Sequence, residues 1–162
     1  MKTLLLLITS LFVTHAASGQ VDAARVQDFI LAKEAAGQPE KTVADVEYYL
    51  SFMTEDVSDL HVVYGVTLEG KEKIRSTLLG STRVKFGFSL TVESITIGTD
   101  VAIVEYVEAS QYVRREELVD FAGRTLMVIE FDDAGHIHHM RRYLDTANVA
   151  RSAIACSESD LC

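Results

Sequence analysis

Apolar residues in the first part of the chain recur every three or four positions, as they do on one face of an α-helix. Such a stripe runs through residues 22–36, and Gly37 and Pro39 then predict the end of the helix. A second helix is predicted to begin at Thr42, because Thr42 and Asp45 have the spacing of a capping box. The N-terminal part of the chain is therefore predicted to be helical.

Residues after Gly80 alternate between apolar and polar, which is the period of β-strands. Before them, residues 60–66 (LHVVYGV) predict a short strand, and residues 70–79 (GKEKIRSTLL) predict a short third helix. The alternation changes phase near Glu93, as it would at a β-bulge. Turns rich in Gly and Asp divide the remainder into four antiparallel strands, predicted within 86–97, 101–113, 125–131 and 136–144. Helices followed by strands indicate an α+β fold, in which helices cover one face of a curved sheet and enclose a ligand cavity.

The first residues have the features of a secretory signal peptide. Lys2 precedes an apolar run that is shorter than the roughly 20 residues of a membrane span, and Ala17-Ser18-Gly19 resembles a cleavage pattern. An uncleaved membrane anchor is the alternative, but the polar residues Thr14 and His15 interrupt the run. We therefore expect a signal peptide at 1–19, one domain at 20–150, a tail at 151–162, and a secreted or periplasmic protein.

Charge and the positions of cysteine and histidine limit the classes of partner and ligand that the chain is expected to bind. The 162 residues carry a formal net charge of −9 and no basic cluster, which argues against nucleic acid and, after signal cleavage, against anionic membranes. Cys156 and Cys162 lie in the tail, where export would permit a disulfide, and the sequence leaves that bond open. His136, His138 and His139 suggest no third ligand by their spacing, so no metal and no cofactor are predicted.

Two segments carry a family resemblance. Residues 52–80 (FMTEDVSDLHVVYGVTLEGKEKIRSTLLG) resemble a segment of the SnoaL-like members of the NTF2-like superfamily, and residues 131–145 (FDDAGHIHHMRRYLD) are similar to their closing hairpin. The resemblance covers roughly residues 22–147. It implies a cone-shaped α+β barrel, with N-terminal helices packed on a curved, mostly antiparallel sheet over a pocket, and commonly a homodimer. Such proteins include polyketide cyclases, ketosteroid isomerases, limonene-type epoxide hydrolases and binding proteins without chemistry, so the resemblance specifies fold better than function.

The matching positions do not reproduce a complete known active site. Relative to limonene-type epoxide hydrolases, Tyr106 stands at the place of an arginine and Glu108 at that of the water-activating aspartate. Arg142 replaces the acid of the last strand. The ketosteroid isomerase pattern, an Asp base facing a Tyr and a protonated Asp, is not evident either.

Strand alternation supplies candidate pocket residues. Ala102, Val104, Tyr106, Glu108 and Ser110 share one face of their strand, as His138, Met140, Arg142 and Leu144 do on the last strand. The family alignment favours these faces as pocket walls. The candidate catalytic residues are Glu108, as a general base, and Tyr106, as a hydrogen-bond donor to an oxyanion. The candidate ligand contacts are Arg142, Tyr49, His61 and Met140.

Two functions remain open at this stage. One is an isomerase, cyclase or hydrolase that uses the single carboxylate of Glu108 on a small, mostly apolar carbonyl or epoxide compound. The other is a non-catalytic module that binds a small ligand or a protein partner. In that second case Glu108 and Arg142 are expected to form a structural ion pair.

Overall fold

The computed structural model describes residues 21–80, 85–148 and 150–155, so the predicted signal peptide and both cysteines lie outside it. Within these ranges the chain forms three helices and seven strands. The helices are α1 (Ala23–Gly37), α2 (Val43–Leu50) and α3 (Lys71–Leu79). The strands are β1 (Met53–His61), β2 (Val66–Glu69), β3 (Lys85–Ile97), β4 (Val101–Arg114), β5 (Glu117–Phe131), β6 (Ile137–Leu144) and β7 (Ala150–Ala155). None of the described helices is long and apolar enough to cross a membrane.

The strands form one curved, unclosed sheet in the order β2-β1-β6-β5-β4-β3. β1 and β6 run parallel, and the other neighbouring strands run antiparallel. β7 pairs with residues 117–122 of the long strand β5, whereas β6 pairs with residues 125–131 of the same strand. Residues 150–155, which we assigned largely to a tail, are therefore part of the sheet. The α+β prediction is confirmed.

The helices begin where the sequence predicts. The capping box of α2 is formed, because the Asp45 N–H donates to Thr42 Oγ1 at 3.2 Å and the Thr42 N–H donates to Asp45 Oδ2 at 2.7 Å. One face of α1 is buried at Val26, Phe29 and Ile30 and joins the core above the sheet. This face also buries Lys33, which the apolar stripe did not predict.

Alternation divides β4 into two faces, and the buried one is the face that the family resemblance favoured. Ala102, Val104 and Tyr106 are fully buried on it. The predicted bulge is present as well, because the pairing of β3 with β4 shifts register between Val92 and Ser94. Both the choice of face and the change of phase are confirmed.

A bulge in β6 corrects the prediction for that strand. The pairing of β5 with β6 shifts register after Glu130, so that Ile137 is buried and His138 is exposed. His138 therefore does not share the concave face with Met140 and Arg142, as strict alternation had predicted.

Residues 60–66 do not form one strand. β1 continues to His61, a 3-10 turn follows over Val62–Tyr64, and β2 begins at Val66. Gly65 closes the turn with a φ of +60°, a left-handed conformation that glycine adopts without strain. The apolar run is divided because this turn reverses the chain between two antiparallel strands.

Candidate functional site

A cavity of about 110 Å³ opens on the concave side of the sheet. Its walls come from the end of β1, the 3-10 turn, and strands β4, β5 and β6. The lining residues are His61, Val63, Tyr64, Tyr106, Glu108, Phe121, Thr125, Arg142 and Leu144. Strand alternation brings the inward side chains of β4, β5 and β6 together here.

A buried ion pair joins β1 to β6 at this cavity. Arg142 Nε donates to Asp59 Oδ1 at 3.0 Å, and Arg142 Nη2 donates to Asp59 Oδ2. The Asp59 side chain is wholly buried, and 18% of the Arg142 side chain is exposed. Burial raises the pKa of the Asp59 carboxyl, but the Arg142 guanidinium and the His61 ring together outweigh burial and hold that pKa well below its usual range. Both groups are therefore charged at neutral pH.

Glu108 has a different partner from the one expected. Lys33 Nζ, on α1, lies 3.8 Å from Glu108 Oε2, whereas Arg142 is engaged by Asp59. The expected structural pair between Glu108 and Arg142 is thus wrong, because the nearer carboxylate of Asp59 occupies the guanidinium. The Glu108 side chain remains 29% exposed.

Lys33 is an unusual lysine because its ammonium group is buried. Its Nζ lies 5.2 Å from the ring centroid of Tyr106 and 5.4 Å from that of Phe88, within the range of cation–π contact. Burial lowers the pKa of Lys33 to about 8, and the Glu108 carboxylate opposes part of that decrease. A fraction of Lys33 is therefore neutral at mildly alkaline pH.

Two buried polar atoms that belong to cavity-lining residues have no hydrogen-bond partner among the described residues. They are Tyr106 Oη and His61 Nε2. Thr125 is the cross-strand neighbour of Tyr106 and lowers the pKa of its phenol. The two side chains are nevertheless not in hydrogen-bond geometry. His61 Nε2 lies 3.6 Å from Asp59 Oδ2, beyond an ordinary hydrogen bond. Burial raises the pKa of Tyr106, which keeps its hydroxyl protonated and able to donate.

The predicted site residues fall into two groups. Glu108, Tyr106, Arg142 and His61 all line the cavity. The others lie in the core and not on the cavity wall: Tyr49 stacks on Phe29 with ring centroids 5.3 Å apart, and Met140 is fully buried.

Sequence reasoning missed Asp59 and Lys33. Asp59 is partnered by a residue 83 positions away, and no local spacing reveals such a pair. The burial of Lys33 could have been predicted from its position. It continues the helical stripe of Val26, Phe29 and Ile30, which lies on the buried face of α1. No group of three or more His, Cys, Asp or Glu side chains in the described part of the chain is arranged to hold a metal ion.

Solved structures with the same arrangement of elements are similar to this chain at low sequence identity. A protein assigned as a SnoaL-like polyketide cyclase from Shewanella putrefaciens has a TM-score of 0.64 at 10% identity, over 78% of this chain and 93% of that one. A protein with a ketosteroid isomerase-like fold from Catenulispora acidiphila has a TM-score of 0.60 at 14% identity, over 76% and 86% of the two chains. An epoxide hydrolase of the LEH-like type from M. tuberculosis has a TM-score of 0.56 at 19% identity, over 77% and 83%.

These similarities define the class at the level of fold. The chain has the NTF2-like α+β fold, which confirms the resemblance seen in residues 52–80 and 131–145. No protein-family model and no curated protein matches the sequence. Function must therefore be argued from the cavity itself.

Proposed function

We propose that the chain binds a small carbonyl compound in this cavity and moves one of its protons, with Glu108 as the general base. The observation that carries the proposal is the Tyr106 hydroxyl, which is buried at the cavity wall without a hydrogen-bond partner among the described residues. A buried polar group left unpaired costs about 1–3 kcal/mol, so a ligand oxygen at this position would be stabilising. The Catenulispora neighbour, in complex with trimethylamine, supports small-ligand binding by this fold.

The proposed chemistry uses two side chains on one face of β4. Glu108 takes a proton from the carbon next to the ligand carbonyl, and the electron pair of that C–H bond moves into the carbonyl group. The Tyr106 hydroxyl donates to the oxyanion that forms. Return of the proton from Glu108 to the same or a neighbouring carbon regenerates the carboxylate. Arg142, held by Asp59, supplies fixed positive charge near the oxygen.

Exchange of deuterium into simple cyclic ketones tests this proposal. We expect the protein to accelerate loss of the α-proton signals of cyclohexanone in D2O, followed by proton NMR. Glu108→Gln should reduce the acceleration by roughly 100-fold or more, the usual contribution of a general base. Tyr106→Phe should reduce it by a smaller factor.

The matched control is Glu105→Gln on the same strand. Glu105 points to the opposite face, where it accepts a hydrogen bond from Ser94 Oγ at 2.8 Å. Exchange by this variant should equal that of the parent protein. Equal exchange by the parent and Glu108→Gln would contradict the role of Glu108.

One observation favours the alternative of a non-catalytic binding module. The Lys33 ammonium lies 3.8 Å from the Glu108 carboxylate, so the two side chains can form a structural ion pair. Binding of the ketone without any exchange would support this alternative.

We also infer that the chain is exported and forms a homodimer. The apolar run and cleavage pattern within residues 1–19 support export to the periplasm or the medium. The outer face of the sheet supports self-association, because Ile103 and Tyr143 are 36% and 39% exposed on it.

A further inference from the structure

An exposed apolar surface borders the cavity. It comprises Val62, Val63, Tyr64 and Val66, which we call the apolar lip. Their exposed fractions are 37%, 43%, 62% and 48%. Large apolar side chains that are exposed together mark a surface that contacts something else.

The lip is continuous with the cavity wall. Val63 and Tyr64 belong to both, and residues 60–68 contain no Asp, Glu, Lys or Arg. The 3-10 turn fixes its shape, because the Gly65 N–H donates to the Val62 carbonyl at 3.2 Å. A ligand that leaves the cavity on this side meets an uncharged apolar surface.

The cavity alone is too small for a long ligand. Its volume of about 110 Å³ is of the same order as an engineered cavity of roughly 150 Å³ that holds benzene. A cavity of this volume has room for about one ring. Any further carbon atoms must pass through the opening.

We propose that the ligand is an amphiphile, with a ring-sized carbonyl group in the cavity and an apolar extension of several carbons lying on the lip. This inference rests on the proposed function, since it extends the ligand of the same site. A membrane is a less suitable occupant, because a net charge of −9 opposes approach to anionic lipid surfaces. The lip thus determines which carbonyl compounds are bound tightly.

A homologous series of 4-alkylcyclohexanones, from methyl to hexyl, measures the contribution of the lip. Complete burial of a methylene is worth about 0.8 kcal/mol, so contact on one side should lower the Kd by about twofold for each added carbon. The Kd values are obtained by calorimetry. The variant Val62→Thr/Val66→Thr keeps side-chain shape, makes the lip polar and leaves the cavity-lining residues intact. It should flatten the dependence on chain length while the Kd for cyclohexanone stays unchanged.

Val43→Thr is the control, because Val43 is 61% exposed on α2 and is not among the residues that line the cavity. Its dependence on chain length should equal that of the parent protein. If cyclohexanone binds but longer compounds bind no better, the lip proposal fails and the proposed function stands. If no member of the series binds, both fail. The lip proposal also fails if the Kd of the double variant still depends on chain length. In that case, loss of binding to phosphatidylcholine vesicles would assign the lip to a membrane, and loss of self-association would assign it to a second copy.

Discussion

At the scale of single residues, the buried Lys33 is expected to make the protein more stable as the pH rises. Burial lowers its pKa in the folded chain from the ordinary 10.5 to about 8, so the unfolded chain binds more protons between these values. The free energy of unfolding therefore rises with pH across this window, by about 3 kcal/mol from this group. In Lys33→Met we expect the rise to disappear and the protein to be more stable than the parent at pH 7. Urea denaturation between pH 7 and 10 measures both effects.

Lys73→Met provides the control for that measurement. Lys73 lies exposed on α3, so its loss should leave the pH dependence of the parent protein unchanged. A rise that persists undiminished in Lys33→Met would show that the Lys33 ammonium is hydrated in the folded state.

The residues that the sequence could identify are those that strand alternation groups on one face and the family resemblance assigns to the pocket. Tyr106 and Glu108 were assigned to one face of β4, and both line the cavity. Asp59 could not be identified in the same way. It is charged and lies in the mostly polar segment TEDVSD, a pattern that predicts exposure to solvent. Only the folded structure shows that Asp59 is buried and that Arg142 compensates its charge.

At the scale of elements, the Asp59–Arg142 pair couples β1 to β6 across their parallel pairing. Asp59→Asn would leave the largely buried guanidinium without its counter-charge, and we expect the free energy of unfolding to fall by about 3 kcal/mol. Because the Asp59 pKa is lowered in the folded chain, this stabilisation is present at neutral pH. It is lost as pH falls below the ordinary carboxyl range toward the lowered folded value. Urea denaturation at pH 7 and pH 3 should show a large difference between parent and variant at pH 7 and a smaller one at pH 3.

Asp56→Asn makes the same chemical change on the same strand. Asp56 is exposed, so this substitution should alter stability by less than about 0.5 kcal/mol. If both substitutions lower the free energy of unfolding by the same amount, the pairing of Asp59 with Arg142 does not stabilise the fold.

Element boundaries were predictable where a local signal exists. The capping box fixed the start of α2, and the change of phase near Glu93 located the bulge in β3. The bulge after Glu130 had no such signal, because the turn at Asp132 to Gly135 interrupts the alternation at the same place. The prediction of one strand over residues 60–66 was wrong, because one strand and a turn between two strands can have the same apolar run.

At the scale of the whole molecule, the order of elements was enough to predict the fold but not the chemistry. Helices followed by strands, with the motif around residues 52–80, led to the NTF2-like arrangement that solved neighbours share. The chemistry depends on which side chains the fold brings to the cavity. Those side chains meet across β1, β4, β6 and α1, and only the assembled sheet brings them together.

The outer face of the sheet gives the proposed homodimer a specific site. Ile103 and Val128 are cross-strand neighbours there, as are Leu126 and Tyr143, and none of the four faces the core. Native mass spectrometry of exported protein tests assembly and export together. We expect a dimer whose chains begin at Gln20.

Tyr143→Lys should shift this protein toward the monomer, because a lysine buried at the proposed subunit interface must lose its hydration. Val43→Lys adds the same charge on α2, away from the outer face of the sheet, and should remain dimeric. A monomeric parent protein would contradict the assembly proposal, whereas a chain that retains residues 1–19 would contradict cleavage. The two proposals can fail separately, because subunit number and chain mass are read independently from one spectrum.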